Sequence, residues 1–114
     1  MAYGESDNYT ANITGPQSSN LITPGTGGTK SSTTVSAANS ARKSITIQNQ
    51  GVNVLYVKLG SGATAPGSNE DYHFSLKAGS ADYDGSGGTV EIKDYTGEIT
   101  IEGTSKKYTY AEFV

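Results

Sequence analysis

The chain has 114 residues, of which only 33% are hydrophobic, and a formal net charge of −3 from 8 basic and 11 acidic residues. The length suits a single domain, while the apolar fraction lies below the roughly 45–50% of average globular proteins. The absence of cysteine excludes disulfide scaffolds and thiol nucleophiles, the acidic balance argues against a nucleic-acid partner, and the apolar runs are too short for a membrane-spanning helix.

Residues 1–32 predict an extended, low-complexity N-terminal arm. They contain only three large aliphatic residues, Ile13, Leu21 and Ile22, whereas residues 33–114 contain the rest. Prolines and glycines interrupt any period of 2 or 3.6, so the arm has no apolar face to bury. Ordering it would cost roughly 1–2 kcal/mol of backbone entropy per residue. We therefore expect a segment that is either mobile or held by the surface of a partner.

Residues 33–114 predict an antiparallel all-β domain. Short runs alternate apolar with polar residues, as half-buried strands do, and glycine-, asparagine- and aspartate-rich turns separate them. This pattern favours a small β-sandwich or jelly roll of about seven to eight short strands. A weaker run lies near Thr33–Ser36. The apolar or aromatic positions of the later runs are Ile45 and Ile47; Leu55, Val57 and Leu59; Tyr72, Phe74 and Leu76; Val90 and Ile92; Ile99 and Ile101; and Tyr108, Tyr110 and Phe113.

The predicted domain has little apolar material for its length. Small all-β domains with so few large apolar side chains are marginal on their own. Association with other molecules would bury the missing surface. We therefore expect a homo-oligomer or a component of a larger assembly.

The patterns that could carry catalysis or bind a metal are incomplete. His73 is the one histidine and occupies a polar position of its run, so we expect it to face solvent. The glycine-rich stretch 25–31 lacks the Gly-Lys pair of a phosphate-binding loop. Asp82 and Asp84 begin a D-x-D-G stretch, but Lys93 stands where a calcium loop has its bidentate glutamate. We expect no enzyme, no cofactor and no metal site.

The eight tyrosines are the better candidates for contact with a partner. An exposed tyrosine offers a rigid, amphipathic contact surface, and such residues are common at interfaces. For the tyrosines of the domain, packing into the core is the alternative, because strand parity is ambiguous near the C-terminus. The candidate partner-binding residues are Tyr3, Tyr9, Ile13, Leu21, Ile22, Tyr56, Tyr108 and Tyr110.

The strand and turn motifs between Ser40 and Phe113 follow a distinctive order. S-A-R-K-S-I-T-I-Q-N at 40–49 is followed by L-Y-V-K-L-G at 55–60, and later by F-S-L-K-A-G at 74–79 and Y-T-G-E-I-T-I-E-G-T at 95–104. This order resembles the small β-sandwich virion proteins of tailed bacteriophages. The resemblance implies a capsid decoration or cement protein on the outer surface of the virion. Its partner would be the shell of the major capsid protein, and a trimer is the favoured oligomer.

A second function stays open beside that one. A head or tail fibre, or a knob domain, would bind a host surface glycan through its tyrosines and glycine-rich loops. The first function implies many copies on each particle, and the second implies few copies at a vertex or tail.

Overall fold

A computed structural model describes residues 24–67 and 69–114, which form eight β-strands in two antiparallel sheets. The predicted all-β class and the predicted number of strands are confirmed. The described residues include no helix that could cross a membrane. The strands are β1 (Pro24–Lys30), β2 (Thr34–Ser36), β3 (Ser44–Asn49), β4 (Leu55–Leu59), β5 (Phe74–Leu76), β6 (Thr89–Lys93), β7 (Ile99–Glu102) and β8 (Tyr108–Phe113).

The strands are connected as in a jelly roll. The first sheet has the order β1-β8-β3-β6 and the second has the order β2-β7-β4-β5. Only β4 and β5 are neighbours both along the chain and within a sheet, so every other connection crosses from one sheet to the other. This is the double Greek-key arrangement of an eight-stranded jelly roll.

The core lies between the two sheets and follows the predicted alternation. In β3, Ile45 and Ile47 are buried while Thr46 and Gln48 are only half-buried. Phe74 differs from its prediction, because β5 is a short strand at the sheet edge and leaves this side chain 37% exposed. The buried apolar residues are Val35, Ile45, Ile47, Leu55, Val57, Leu76, Ile92, Ile99, Ile101 and Tyr108.

The folded part begins earlier in the chain than the sequence pattern predicts. Residues 24–30, which the pattern assigns to the arm, form β1 at the edge of the first sheet, with Gly28 opposite Tyr110 of β8. The segment contains no large aliphatic or aromatic residue and so has no apolar period, yet it pairs in register with β8. A Cβ atom at Gly27 would lie 2.8 Å from the carbonyl oxygen of Tyr110, so the close approach of the two strands requires glycine there.

Candidate functional site

The three candidate tyrosines of the domain lie in different environments. Tyr108 is fully buried between the sheets, so its prediction as an exposed partner contact is corrected to the alternative, inward packing. Tyr110 is half-buried against the core, and the Lys30 Nζ atom lies 4.8 Å from the centroid of its ring. Tyr56 is half-buried on the outer face of the second sheet. The arm candidates lie outside the described residues: Tyr3, Tyr9, Ile13, Leu21 and Ile22.

We expect Tyr108→Phe to reduce the alkaline sensitivity of the fold. Burial raises the pKa of Tyr108 above its usual value of 10.0, and the hydrogen bond with Ser32 partly opposes this. Because the pKa is higher in the folded state than in the unfolded chain, the stability contributed by the neutral hydroxyl is fully present below about pH 10. It is lost as the pH rises through the folded-state pKa.

Urea unfolding of both proteins, followed by circular dichroism from neutral pH to about pH 11, checks this prediction. The variant should lose about 1 kcal/mol at neutral pH through the missing hydrogen bond and then decline less steeply than the parent. Lys107, whose pKa is raised by its hydrogen bond to Asp82, titrates in both proteins and cancels in the comparison. Parallel declines would contradict the prediction.

A surface groove crosses the outer face of the second sheet. Tyr56 of β4 and Glu102 of β7 are register partners and form its floor. The β4–β5 connection supplies one wall, and the β3–β4 and β7–β8 loops supply the other. The groove is open to solvent, has a volume of about 620 Å³ and is lined by Asn53, Val54, Tyr56, Thr64, Ala65, Pro66, Glu102, Gly103 and Thr104.

The wall exists because the β4–β5 connection folds back over the sheet. Thr100 of β7 faces outward from the core, yet its side chain is buried beneath this connection. Its Oγ1 atom donates a hydrogen bond to the carbonyl of Gly60 at 2.7 Å and accepts one from the Ala63 amide at 3.1 Å. Thr64 and Asp71 then pair through their main chains and close the connection on itself. The position of the wall is therefore set by hydrogen bonds to the sheet.

An aromatic ring and a carboxylate lie side by side on the floor of the groove. The rings of Tyr56 and Tyr72 are in tilted contact, with centroids 4.8 Å apart, and this contact limits the orientations open to Tyr56. The Oε1 atom of Glu102 accepts hydrogen bonds from the Gly103 amide at 3.0 Å and from Lys106 Nζ at 3.4 Å. Within the described part of the chain, its Oε2 atom is left to accept a hydrogen bond from a ligand.

One end of the molecule exposes large apolar side chains. Val52, Val54 and Tyr83 are 48%, 37% and 53% exposed and are called the apolar tip below. The β3–β4 and β5–β6 loops meet there, because the Tyr83 amide donates to the Gln50 carbonyl and the Gly79 amide to the Gly51 carbonyl, both at 2.8 Å. Val54 also lines the groove, so the two surfaces adjoin.

The motifs considered for catalysis and metal binding have local structural partners. His73 is exposed as predicted, and its Nδ1 atom accepts a hydrogen bond from the Leu59 amide at 3.0 Å. Hydrogen bonds from the hydroxyl and amide of Ser86 hold the pKa of Asp84 below its usual value. Asp82 instead pairs with Lys107 at 2.6 Å. Across residues 24–67 and 69–114, no three histidine or acidic side chains gather in a group that could hold a metal ion.

Arg42 is a buried residue that the sequence pattern did not single out. Its Nε atom pairs with Glu112 of β8 at 2.8 Å, and its Nη2 atom donates to the Ser36 hydroxyl of β2 at 2.9 Å. Its Nη1 atom donates to the carbonyls of Tyr95 and Gly97, both at 2.9 Å. These contacts join the two sheets to the β6–β7 connection and are called the Arg42 clamp below.

Asn49 plays a corresponding part at the other end of β3. Its Nδ2 atom donates to the carbonyls of Asn53, Leu76 and Lys77 at 2.8, 3.1 and 3.2 Å, and its Oδ1 atom accepts from the Gly51 amide at 2.9 Å. This set of contacts, called the Asn49 clamp, ties the end of β3 to the end of β5 in the opposite sheet. Both clamps serve the fold, because their polar atoms are turned inward and bound to the chain itself.

The groove and the apolar tip are thus the two described surfaces that could receive a partner. One combines an aromatic ring with polar groups, and the other is apolar. Neither surface is explained by a relative, since no protein-family model, no curated protein and no solved structure matches this chain.

Proposed function

We propose that this protein is a structural protein of a tailed-bacteriophage virion that decorates the outside of the capsid. It binds the assembled shell of the major capsid protein and stabilises the head. The observation that carries the proposal is the apolar tip, where Val52, Val54 and Tyr83 stand exposed on neighbouring loops. Large exposed apolar patches mark sites of protein interaction, and the hydrogen bonds between the two loops bring these side chains to one region of the surface.

The motifs that resemble small virion proteins support the same function. The motif at 40–49 contains Arg42 and Asn49, so it supplies both clamps together with the buried positions of β3. The motifs at 55–60 and 95–104 supply β4 and β7, which form the centre of the second sheet. The resemblance therefore covers the residues that form both clamps and the central strands of the second sheet.

Decoration requires a small rigid body that prefers the assembled shell to free subunits. A protein that binds only the assembled form stabilises that form by mass action. Many copies on one shell make a modest affinity at each position sufficient. The small core of the jelly roll agrees with association, and we propose a trimer as the form that binds the shell.

A binding experiment on purified shells tests this function. The protein should co-sediment with assembled shells, leave free capsid subunits in the supernatant and raise the temperature at which shells rupture. Val52→Ser combined with Tyr83→Ser should weaken shell binding about tenfold or more, because each change removes apolar contact area. Phe74→Ser is the matched control, since Phe74 is exposed outside the apolar tip.

Three results would refute the proposal. The first is a failure to bind shells, and the second is equal binding to free subunits, which would give no stabilisation. The third is unchanged shell binding by the Val52→Ser, Tyr83→Ser protein. Val54 is left intact because it also lines the groove, so the experiment perturbs one surface only.

A further inference from the structure

The two strands on the floor of the groove, β4 and β7, each have a paired strand on both sides. β4 pairs with both β5 and β7, and β7 pairs with both β2 and β4. A peptide cannot add to these strands, because strand addition requires an unpaired edge. A ligand in the groove must therefore be recognised by side chains.

The side chains of the groove offer an aromatic face surrounded by hydrogen-bonding groups. Tyr56 presents a half-buried ring whose orientation is limited by Tyr72. The Oε2 atom of Glu102 can accept hydrogen bonds. Within the described residues, the Asn53 amide and the Thr104 hydroxyl form no side-chain hydrogen bond, so both can donate to a ligand and accept from it.

The combination favours a ligand that has many hydroxyl groups and an apolar face but no negative charge. The Oε2 atom of Glu102 would repel a phosphorylated or carboxylated ligand, although the ion pair with Lys106 at 3.4 Å offsets part of this repulsion, and the net charge of −3 adds to it. An aliphatic ligand would leave the Oε2 atom of Glu102 and the side-chain amide of Asn53 without hydrogen bonds, which is costly once water is displaced. The volume of about 620 Å³ lies within the roughly 300–1,000 Å³ of ligand-binding clefts.

We infer that this groove binds a neutral saccharide. The apolar face of a sugar ring stacks on Tyr56, and its hydroxyl groups donate to Glu102 and exchange hydrogen bonds with Asn53 and Thr104. This site goes beyond capsid decoration and does not depend on it. A decoration protein that carried the site would place a sugar-binding surface beside its contact with the shell.

The inference is tested by NMR titration of the isotope-labelled protein. The probes are lactose, maltose, cellobiose and diacetylchitobiose as neutral saccharides, and sialyllactose as a charged one. At least one neutral probe should shift the amide signals of Tyr56, Glu102 and Thr104 in a saturable manner. Sialyllactose should bind more weakly than lactose, because it adds a carboxylate near Glu102.

Variants of the floor identify the groups that bind. Tyr56→Ala should weaken binding of the responsive saccharide about tenfold or more, while Tyr56→Phe retains the stacking face and most of the affinity. Glu102→Gln should weaken binding several-fold, because its carboxamide oxygen is a weaker acceptor than a carboxylate. Phe74→Ala removes an exposed aromatic ring elsewhere and should leave the affinity unchanged.

The inference fails if no neutral probe binds, if Tyr56→Ala binds as the parent does, or if sialyllactose is preferred. If Tyr56→Ala does not fold, Tyr56→Phe and Glu102→Gln still test the site. An affinity of Glu102→Gln equal to that of the parent would show that the carboxylate does not bind the saccharide. Shell binding by Glu102→Gln should be unaffected. The two proposals can therefore fail separately.

Discussion

Replacing Arg42 by methionine should lower the free energy of unfolding by about 3–5 kcal/mol. The change removes the guanidinium to which the buried carboxylate of Glu112 is bound at 2.8 Å. It also removes the donors that satisfy the carbonyls of Tyr95 and Gly97. Removing the cation from a buried ion pair is costly, and so is removing the donor from two carbonyls in a part-buried site. Urea unfolding at neutral pH measures the change as a lower midpoint with an unaltered slope.

Variants of the same clamp separate charge from geometry. Glu112→Gln should cost less than Arg42→Met, because the amide oxygen still accepts from the Arg42 Nε atom. Arg42→Lys should fall between the parent and Arg42→Met, since an ammonium group cannot reproduce the planar fork of the guanidinium. Combining Arg42→Met with Glu112→Leu should recover part of the loss, because the double change removes the buried carboxylate together with the guanidinium. An Arg42→Met protein within about 1 kcal/mol of the parent would show that the clamp contributes little.

Regular alternation explains why most of the fold could be predicted. Ile45 and Ile47 in β3, and Ile99 and Ile101 in β7, are buried as their period-2 spacing requires. β1 could not be found in this way, because it pairs with β8 although its sequence contains no large aliphatic or aromatic residue. Its sequence of glycine, threonine and lysine at 25–30 is therefore indistinguishable from that of an unstructured arm.

The sequence does contain a sign of both clamps, namely a polar residue at a strand position where the alternation predicts an apolar one. Asn49 continues the buried positions of Ile45 and Ile47, and Glu112 continues the alternate positions of the buried Tyr108 and the half-buried Tyr110. A polar residue at a buried position of a strand needs partners inside the protein, so each of the two marks a buried polar contact. The partners themselves could not be inferred, because they lie far away in sequence and are brought close by the jelly roll.

The groove is the feature that sequence spacing could not reveal. Its lining comes from three separate stretches, 53–56, 64–66 and 102–104. Tyr56 was recognised as a contact candidate, but its neighbour Glu102 follows only from the register between β4 and β7. The wall depends on Thr100, whose hydrogen bonds fix a connection that carries no periodic pattern.

The two clamps suggest how a jelly roll with a small core holds a defined shape. They lie at opposite ends of β3, and each joins one sheet to the other or to a connection between them. Buried ion pairs add little net stability, since desolvation offsets much of their attraction, but in some proteins they select one arrangement over its alternatives. We therefore expect Arg42 and Asn49 to fix the relative position of the sheets, while apolar burial supplies the driving force.

Replacing Asn49 by aspartate should destabilise the protein strongly at neutral pH and much less in acid. The Nδ2 atom of Asn49 donates to the carbonyls of Asn53, Leu76 and Lys77. An ionised aspartate would place a carboxylate oxygen against these carbonyl oxygens in a site closed to solvent. Repulsion and desolvation should together cost about 3–5 kcal/mol at pH 7.

The dependence on pH follows from the pKa of the introduced group. Burial and the surrounding carbonyls raise the pKa of the aspartate in the folded state above the value of about 3.9 in the unfolded chain. An aspartate whose pKa is raised by folding lowers the free energy of unfolding at every pH where the unfolded chain is ionised. The loss should therefore shrink as the pH falls towards about 4, the pKa of the aspartate in the unfolded chain. The protonated carboxyl can donate one hydrogen bond to a carbonyl, whereas the carboxylate can donate none.

Urea unfolding of parent and variant at pH 7 and near pH 4 provides the measurement, with the difference taken at each pH so that carboxyl groups common to both proteins cancel. Asn69→Asp makes the same chemical change at an exposed position and should stay within about 0.5 kcal/mol of the parent at both pH values. A loss in Asn49→Asp that is equally large in acid would point to altered packing instead of buried charge. A loss no greater than that of Asn69→Asp would mean that the Asn49 amide does not hold the two sheets together.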